Sequence, residues 1–92
     1  MTTVFVGDVG TEISLDCGVD VSSATIRNIV VRKANGSKIT WGAVADGTNA
    51  IKHVTILGDL DAPGAWKLQA YVEMPDWKGF GEVATLVVSP PL

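Results

Sequence analysis

The side chains that could carry out chemistry in this chain are few and scattered. His53 is the single histidine, and the hydroxyl nucleophiles available to it are Ser14, Ser22, Ser23, Ser37 and Ser89. None of these serines lies in a glycine-framed nucleophile turn. Acyl transfer needs a nucleophile, a base and a group that orients the base, and one histidine leaves little choice of base. The sequence therefore predicts no catalytic residue and a non-enzymatic protein.

The possible metal ligands are equally sparse. A zinc site needs three or four ligands, whereas His53 has no second histidine and no cysteine at a ligand spacing, so it is predicted to be an ordinary strand residue. Asp59 and Asp61, with Asp8 or Asp16 near by in space, could bind Ca²⁺ through oxygen ligands. The alternative is a turn in which these carboxylates accept backbone N–H groups. Both interpretations remain open at this point. Of the two, we expect the turn, so that no metal ion or other cofactor is bound.

Charge and cysteine content narrow the class of partner. The net charge of −3 argues against nucleic acid, because binding phosphates takes clustered Lys and Arg. Cys17 is the single cysteine, so an internal disulfide is excluded, and we expect it to be buried as a small apolar side chain. No apolar run approaches the ~20 residues that cross a bilayer, and Met1–Thr3 lacks the basic start of a secretion signal. We expect a soluble chain made in the cytoplasm, with no membrane partner.

A corner at residues 58–64 is predicted to organise the elements that position these side chains. Pro63 fixes φ and Gly64 tolerates positive φ, and the strand that follows alternates strictly. The apolar side of this strand comprises Trp66, Leu68, Ala70, Val72 and Met74. A strand with one apolar face needs a second sheet to cover it. The corner therefore predicts a sandwich with Trp66 in its core.

Alternating apolar residues rich in Val, Ile and Thr predict strands along the rest of the chain. The expected strands are Thr3–Val6, Thr11–Cys17, Thr25–Lys33, Lys38–Trp41, Ala50–Leu57, Ala65–Met74 and Phe80–Val88. Their spacing of about 8–12 residues is typical of a β-sandwich. The sequence thus predicts an all-β, single-domain chain over residues 1–92, with about seven antiparallel strands in two sheets.

Several local details accompany this prediction. Asn35-Gly36 and Asp46-Gly47 are hairpin signals, the first of type I′, and two hairpins in a row predict a meander. A bulge near Arg27-Asn28 would bring Ile26 into phase with the rest of its strand. Residues 75–79 are expected to be a tight connection before the last strand. Apolar residues on both faces of that strand indicate that part of its outer side is covered.

The order of these signals resembles an immunoglobulin-like sandwich, in which an acidic residue, a glycine and an aromatic residue mark the corner before the sixth strand. Asp61, Gly64 and Trp66 fill these positions, with one residue of extra spacing and Trp in place of Tyr. Cys17 lies on the second strand, where an antibody domain has its first cysteine. The sixth strand offers no partner, so an antibody-type disulfide is excluded.

A closer resemblance is to the small immunoglobulin-like domain at the N-terminus of baseplate upper proteins of tailed bacteriophages. The matching segments are Gly7-Asp8, Ser23-Ala24-Thr25, Val31-Arg32-Lys33-Ala34-Asn35-Gly36, Asp59-Leu60-Asp61-Ala62-Pro63-Gly64-Ala65-Trp66 and Trp77-Lys78-Gly79. This resemblance implies a virion structural protein that docks onto other virion proteins in the tail, baseplate or fibre attachment region. It also implies multiple copies in a symmetric assembly and a location in the virion.

Exposed aromatic residues are the expected contacts with such partners. Trp77, Lys78 and Phe80 are placed at a loop tip, and Trp41 is treated as a similar case on the Asn35-Gly36 hairpin. An exposed Trp beside a rim charge is a common binding pattern. Two alternatives remain open at this point. One is a capsid decoration protein of the head, and the other is a receptor-binding or carbohydrate-binding module in which Trp41, Trp77 and Tyr71 line a platform.

Overall fold

The chain folds into strands that form two sheets. The computed structural model describes residues 4–92. Met1–Thr3, which include the predicted strand start at Thr3, lie outside the described residues. The strands are β1 (Val4–Phe5), β2 (Glu12–Asp16), β3 (Ile26–Arg32), β4 (Lys38–Gly42), β5 (Val44–Asp46), β6 (Ala50–Val54), β7 (Gly64–Met74) and β8 (Trp77–Ser89).

The strands are arranged as a two-layered β-sandwich. The larger sheet has the order β1-β8-β7-β3-β4, and the smaller has the order β2-β6-β5. Neighbouring strands are antiparallel except β1 and β8, which run parallel. The two-sheet, all-β prediction is confirmed. Residues 4–92 contain eight strands where about seven were expected, and the expectation that all strands are antiparallel is corrected by the parallel pairing of β1 with β8.

The additional strand arises because the chain changes sheets at Ala43. β4 pairs with β3 in the larger sheet, whereas β5 pairs with β6 in the smaller one. The Ala43 N–H donates to the Arg27 carbonyl across the first sheet just before the chain leaves it. The two hairpins of the predicted meander therefore lie in different sheets.

The β3–β4 hairpin has a three-residue loop instead of the predicted type I′ turn. The Gly36 N–H donates to the Lys33 carbonyl, and the Lys33 N–H donates to Ser37. Gly36 has φ of +92°, while Asn35 has no positive φ. This combination is a type I turn followed by a glycine bulge, which needs only one left-handed residue. The predicted hairpin is present, but the predicted type I′ turn was wrong.

The bulge in the larger sheet lies in a different strand from the one expected. β3 pairs with β7 in a single register from Ile26 to Arg32, so Ile26 lies on the outer face and no bulge corrects its phase. The register instead shifts between β7 and β8, where Gln69 faces Val83 but Tyr71 faces Phe80. One extra residue in β8 therefore brings Phe80 and Val83 to the same outer face.

The core lies between the two sheets. Its largest fully buried side chains are Trp66, Ile29, Ile51, Leu60, Val21, Val31, Val88 and Thr55. Each large apolar side chain of this kind contributes about 1.5–3 kcal/mol through burial. Cys17 is half-buried at the border of this core. Burial, followed by the neighbouring Asp16 charge, raises the pKa of its thiol.

Candidate functional site

The predicted corner is held against the β3–β4 loop. Lys33 Nζ lies 2.7 Å from Asp61 Oδ2 and 5.7 Å from the centroid of the Trp66 ring. The hydrogen bond from Lys33 lowers the pKa of the Asp61 carboxyl. Trp66 itself is completely buried, the position that the alternation predicts. Asp61 and Trp66 thus both contact Lys33, and these contacts hold the corner against the loop.

Gly64 allows the corner to approach the loop this closely. Its φ is +132°, and a Cβ added at this position would lie 2.4 Å from Ala34 Cβ. Real Cβ atoms essentially never approach a neighbour so closely, so any side chain would force the corner away from the loop. Pro63 precedes it and restricts the entry of the chain into β7. The close contact between the corner and the loop therefore depends on glycine at position 64.

His53 forms the other polar cluster near the corner. Its Nδ1 lies 2.8 Å from the Gly42 carbonyl oxygen and its Nε2 lies 2.7 Å from Asp59 Oδ2. The ring stacks on Trp41 with 4.7 Å between centroids. Asp59 Oδ2 also accepts the Ile56 N–H. His53 therefore connects Asp59 of the corner to Gly42 at the end of β4, where the chain changes sheets. Both ring nitrogens are engaged in these contacts.

Trp41 does not lie on the surface. It is 4% exposed, and its ring packs between His53 and Trp66. The alternation of β4 directs Trp41 inward because it shares a face with Ile39 and lies opposite Ile29. The expectation of a partner-binding Trp41 on an exposed hairpin is therefore corrected, and Trp41 belongs to the core.

The four carboxylates of the calcium alternative are engaged separately. Asp8 accepts the Phe5 N–H and Asp16 accepts the Gly18 N–H, while Asp59 and Asp61 bind a histidine and a lysine respectively. Within residues 4–92, no three His, Cys, Asp or Glu side chains converge as a metal site would require. Asp8, Asp16 and Asp59 accept backbone N–H groups, as the alternative interpretation expected, whereas Asp61 pairs with the Lys33 side chain.

The terminal hairpin presents Trp77 and Phe80 on opposite faces. Its loop is only two residues long, because Met74 pairs with Trp77, so Trp77 and Lys78 belong to β8 and not to the connection. Trp77 is 46% exposed and its ring lies over Gly79, where a Cβ would be 2.8 Å from Trp77 Cζ2. Phe80 lies on the outer face, with its ring centroid 4.9 Å from that of Tyr71.

The three aromatic side chains of the carbohydrate-binding alternative do not share one surface. Tyr71 faces outward and its hydroxyl donates to Glu73 at 2.7 Å. Trp77 lies at the end of the inner face and Trp41 lies in the core. Since a sugar platform needs its rings on one surface, the placement of these three residues does not favour that alternative.

The last strand offers an open edge. Among the described residues, β1 pairs with β8 only at Val88 and Ser89, so residues 77–87 pair with β7 on one side and with no strand on the other. Phe80, Val83 and Val87 are 58–59% exposed on the outer face beside this edge. An uncovered edge with apolar side chains is a template for strand addition. The expected cover on this face is not supplied by residues 4–92.

Sequence reasoning missed a group of cations on the same outer face. Arg32, Lys38 and Lys67 line a groove of about 330 Å³ together with Val30, Gln69, Phe80 and Val83. The hairpin signal at Asn35-Gly36 could have placed Arg32 near Lys38. Lys67 joins them only through the long-range pairing of β3 with β7.

Comparisons with known proteins add no family to this description. No family model matches the chain, and no curated protein or solved structure shows significant similarity to it. No helix in residues 4–92 is long and apolar enough to cross a membrane. The fold therefore defines the protein only as a two-sheet β-sandwich, and its candidate functional surface is the outer face and edge of β8.

Proposed function

We propose that this chain is a non-enzymatic, immunoglobulin-like structural module of a tailed bacteriophage particle. It assembles by docking onto a larger virion protein in the tail, baseplate or fibre attachment region. The module contributes an edge strand and exposed aromatic side chains, and the partner supplies a strand or apolar surface that covers them. The resemblance of the sequence to phage baseplate domains supplies the virion context.

The strand topology supports the immunoglobulin-like part of this proposal. β2, β5 and β6 form one sheet, while β3, β4, β7 and β8 form the other with β1 at its border. In immunoglobulin variable-type domains the second, fourth and fifth main strands lie opposite the third, sixth and seventh, and an added strand extends the latter sheet. Treating β4 as the added strand gives the same division for β2–β8, whereas β1 pairs with β8 instead of lying in the sheet of β2.

The open edge of β8 is the observation that carries the docking role. β8 is 13 residues long, yet only two of these residues pair with β1. Soluble proteins normally protect such edges with short strands, charges or covering loops. Between Gly79 and Val87 the only charged residue is Glu82, and three large apolar side chains are exposed. Such an edge favours a partner that supplies both backbone hydrogen bonds and apolar contacts.

Substitution of Trp77 tests this proposal in the particle. The ring is partly exposed, lies over Gly79 of its own hairpin and is not part of the core cluster, so Trp77→Ala should leave folding intact. Loss of an exposed aromatic anchor should lower incorporation of the protein into particles by about tenfold or more. Quantitative mass spectrometry of purified particles measures the incorporated copies.

Leu57→Ala provides a matched control. Leu57 is the most exposed large apolar side chain on the loop before the corner, which leads into the Gly64 end of β7, whereas Trp77 pairs with Met74 at the other end. This variant should incorporate normally. If Trp77→Ala folds and incorporates as well as the wild type, the terminal hairpin is not a docking element and the proposal fails.

A further inference from the structure

Three cationic side chains lie next to one another on the outer face of the larger sheet, where their mutual repulsion opposes folding. Arg32 lies directly opposite Lys38 on β4 and directly opposite Lys67 on β7. Side chains in such pairs are about 4.5–5.5 Å apart at Cβ, and like charges at this distance are destabilising. Three positive charges therefore stand in one row across three strands, in a chain whose net charge is −3.

No carboxylate within residues 4–92 neutralises this row. The ion pairs of the described residues are Lys33–Asp61, Lys52–Glu12 and His53–Asp59. Lys67 Nζ donates to the uncharged Thr85 hydroxyl at 2.8 Å. Glu73 lies on the same face, but it is at the other end of β7, opposite Lys78. The row is thus available to a negatively charged partner.

The groove beside the row also has an apolar wall. Val30, Phe80 and Val83 line it opposite the cations. Phe80 and Val83 are exposed, so filling the groove would remove apolar surface from water as well as neutralise charge. The complementary surface should therefore combine carboxylates with small or branched apolar side chains.

The outer face of the smaller sheet has this combination. Asp16 and Asp46 lie on either side of Ala50, in one row across β2, β6 and β5. Exposed Val44 and Val54 lie on the same face. This face carries the carboxylates of Glu12, Asp16 and Asp46 against the single ammonium group of Lys52.

The spacing of the two rows matches. Neighbouring strands are about 4.8 Å apart, so Lys38 and Lys67 on the outer strands of one row are separated by about 9.6 Å. Asp16 and Asp46 are also two strand positions apart and so have about the same separation. Ala50 between them leaves space for the guanidinium of Arg32. The two outer faces of one molecule are therefore complementary in charge, spacing and apolar content.

We infer that the groove binds a second copy of this chain, with the cationic row of one molecule docked on the Asp16–Ala50–Asp46 row of the next. This inference deepens the assembly role proposed above and rests on it for its biological setting. Because the contact joins two different faces, it is heterologous, and repeated contacts give a ring or a stack. The open edge of β8 remains free for a different virion protein.

Sedimentation velocity of the purified chain at several concentrations tests this inference. At about 20 mM salt the wild type should form concentration-dependent oligomers, and at about 500 mM salt it should dissociate, because screening weakens exposed charge pairs. Arg32→Glu and Asp46→Lys should each weaken self-association by about tenfold or more. An equimolar mixture of the two variants should associate again, because the reversed charges are then complementary.

Asp76→Lys is the matched control, since it makes the same charge change as Asp46→Lys at an exposed position in the β7–β8 loop, outside both rows. It should self-associate like the wild type. Circular dichroism and thermal melts establish that all variants are folded. If Asp46→Lys is destabilised by loss of its Ser14 hydrogen bond, Asp16→Lys replaces it in the mixing experiment.

A monomeric wild type at low salt would overturn the inference. Binding of poly-L-glutamate to that monomer, abolished by Arg32→Glu, would assign the groove to another acidic protein instead. Failure of the mixture to associate would also overturn it, because complementary rows require rescue. None of these outcomes bears on the incorporation of Trp77→Ala into particles, so failure here and failure of the proposed function are distinguishable.

Discussion

Replacing Gly64 with alanine probes the corner on which the sandwich depends. Two penalties add at this position. An L-residue in the left-handed half of φ space costs about 1–2 kcal/mol. The new Cβ would lie 2.4 Å from Ala34 Cβ, and relieving an overlap of this kind by backbone movement costs about 1–3 kcal/mol. The free energy of unfolding should therefore fall by about 2–5 kcal/mol.

A loss of this size is large for a domain of this length. Domains have total stabilities of about 5–15 kcal/mol. Each kcal/mol corresponds to about 4–8 °C in Tm for a domain of 60–100 residues, so Gly64→Ala should lower Tm by roughly 8–40 °C. Urea unfolding followed by tryptophan fluorescence measures the free energy, because Trp41 and Trp66 are buried and become exposed on unfolding.

Two companion variants separate the penalties. Gly36 has φ of +92° and open space around its Cβ position, so Gly36→Ala should cost only the backbone term of about 1–2 kcal/mol. In an Ala34→Gly background the steric overlap disappears, and the cost of Gly64→Ala should fall to a similar value. The coupling between positions 34 and 64 should be about 1–3 kcal/mol. Equal costs in both backgrounds would refute the close packing of corner and loop.

Two further predictions concern the same region. Trp66→Ala should destabilise the domain by about 3–5 kcal/mol in urea unfolding, because it removes a fully buried ring, and a cost near zero would contradict its place in the core. The lowered pKa of Asp61 means that its pairing with Lys33 stabilises the fold above the unfolded-state pKa and is lost as the pH falls through the folded-state value. Asp61→Asn should therefore make stability less sensitive to acid below about pH 4, by at most ~1 kcal/mol because the Asp61 side chain is exposed. An unchanged pH profile would show that the pair contributes nothing to stability.

Local patterns predicted the core side of one strand and the presence of one hairpin. The strict alternation of β7 places Trp66 in the core, and Asn35-Gly36 marks the β3–β4 hairpin, although not its turn type. Trp41 could also have been placed by alternation, since Ile39 and Trp41 share a face. Its position near a hairpin suggested that it was exposed, but the alternation of β4 places it in the core.

Long-range pairing determined the features that were missed. The change of sheets at Ala43 has no strong sequence signal, because β4 and β5 are separated by a single residue. The bulge in β8 falls between Phe80 and Val83, and the apolar residues on both faces of this strand obscure the change of phase. The cationic row depends on how β3 meets both β4 and β7, which alternation within one strand does not specify.

The most direct test of the docking role is density at side-chain resolution for this protein in a purified phage particle. We expect a strand or apolar surface of another virion protein against the free edge of residues 77–87 of β8, with Trp77 and Val87 covered. A particle in which this edge and both side chains face solvent, or a particle that lacks the protein, would contradict the proposal.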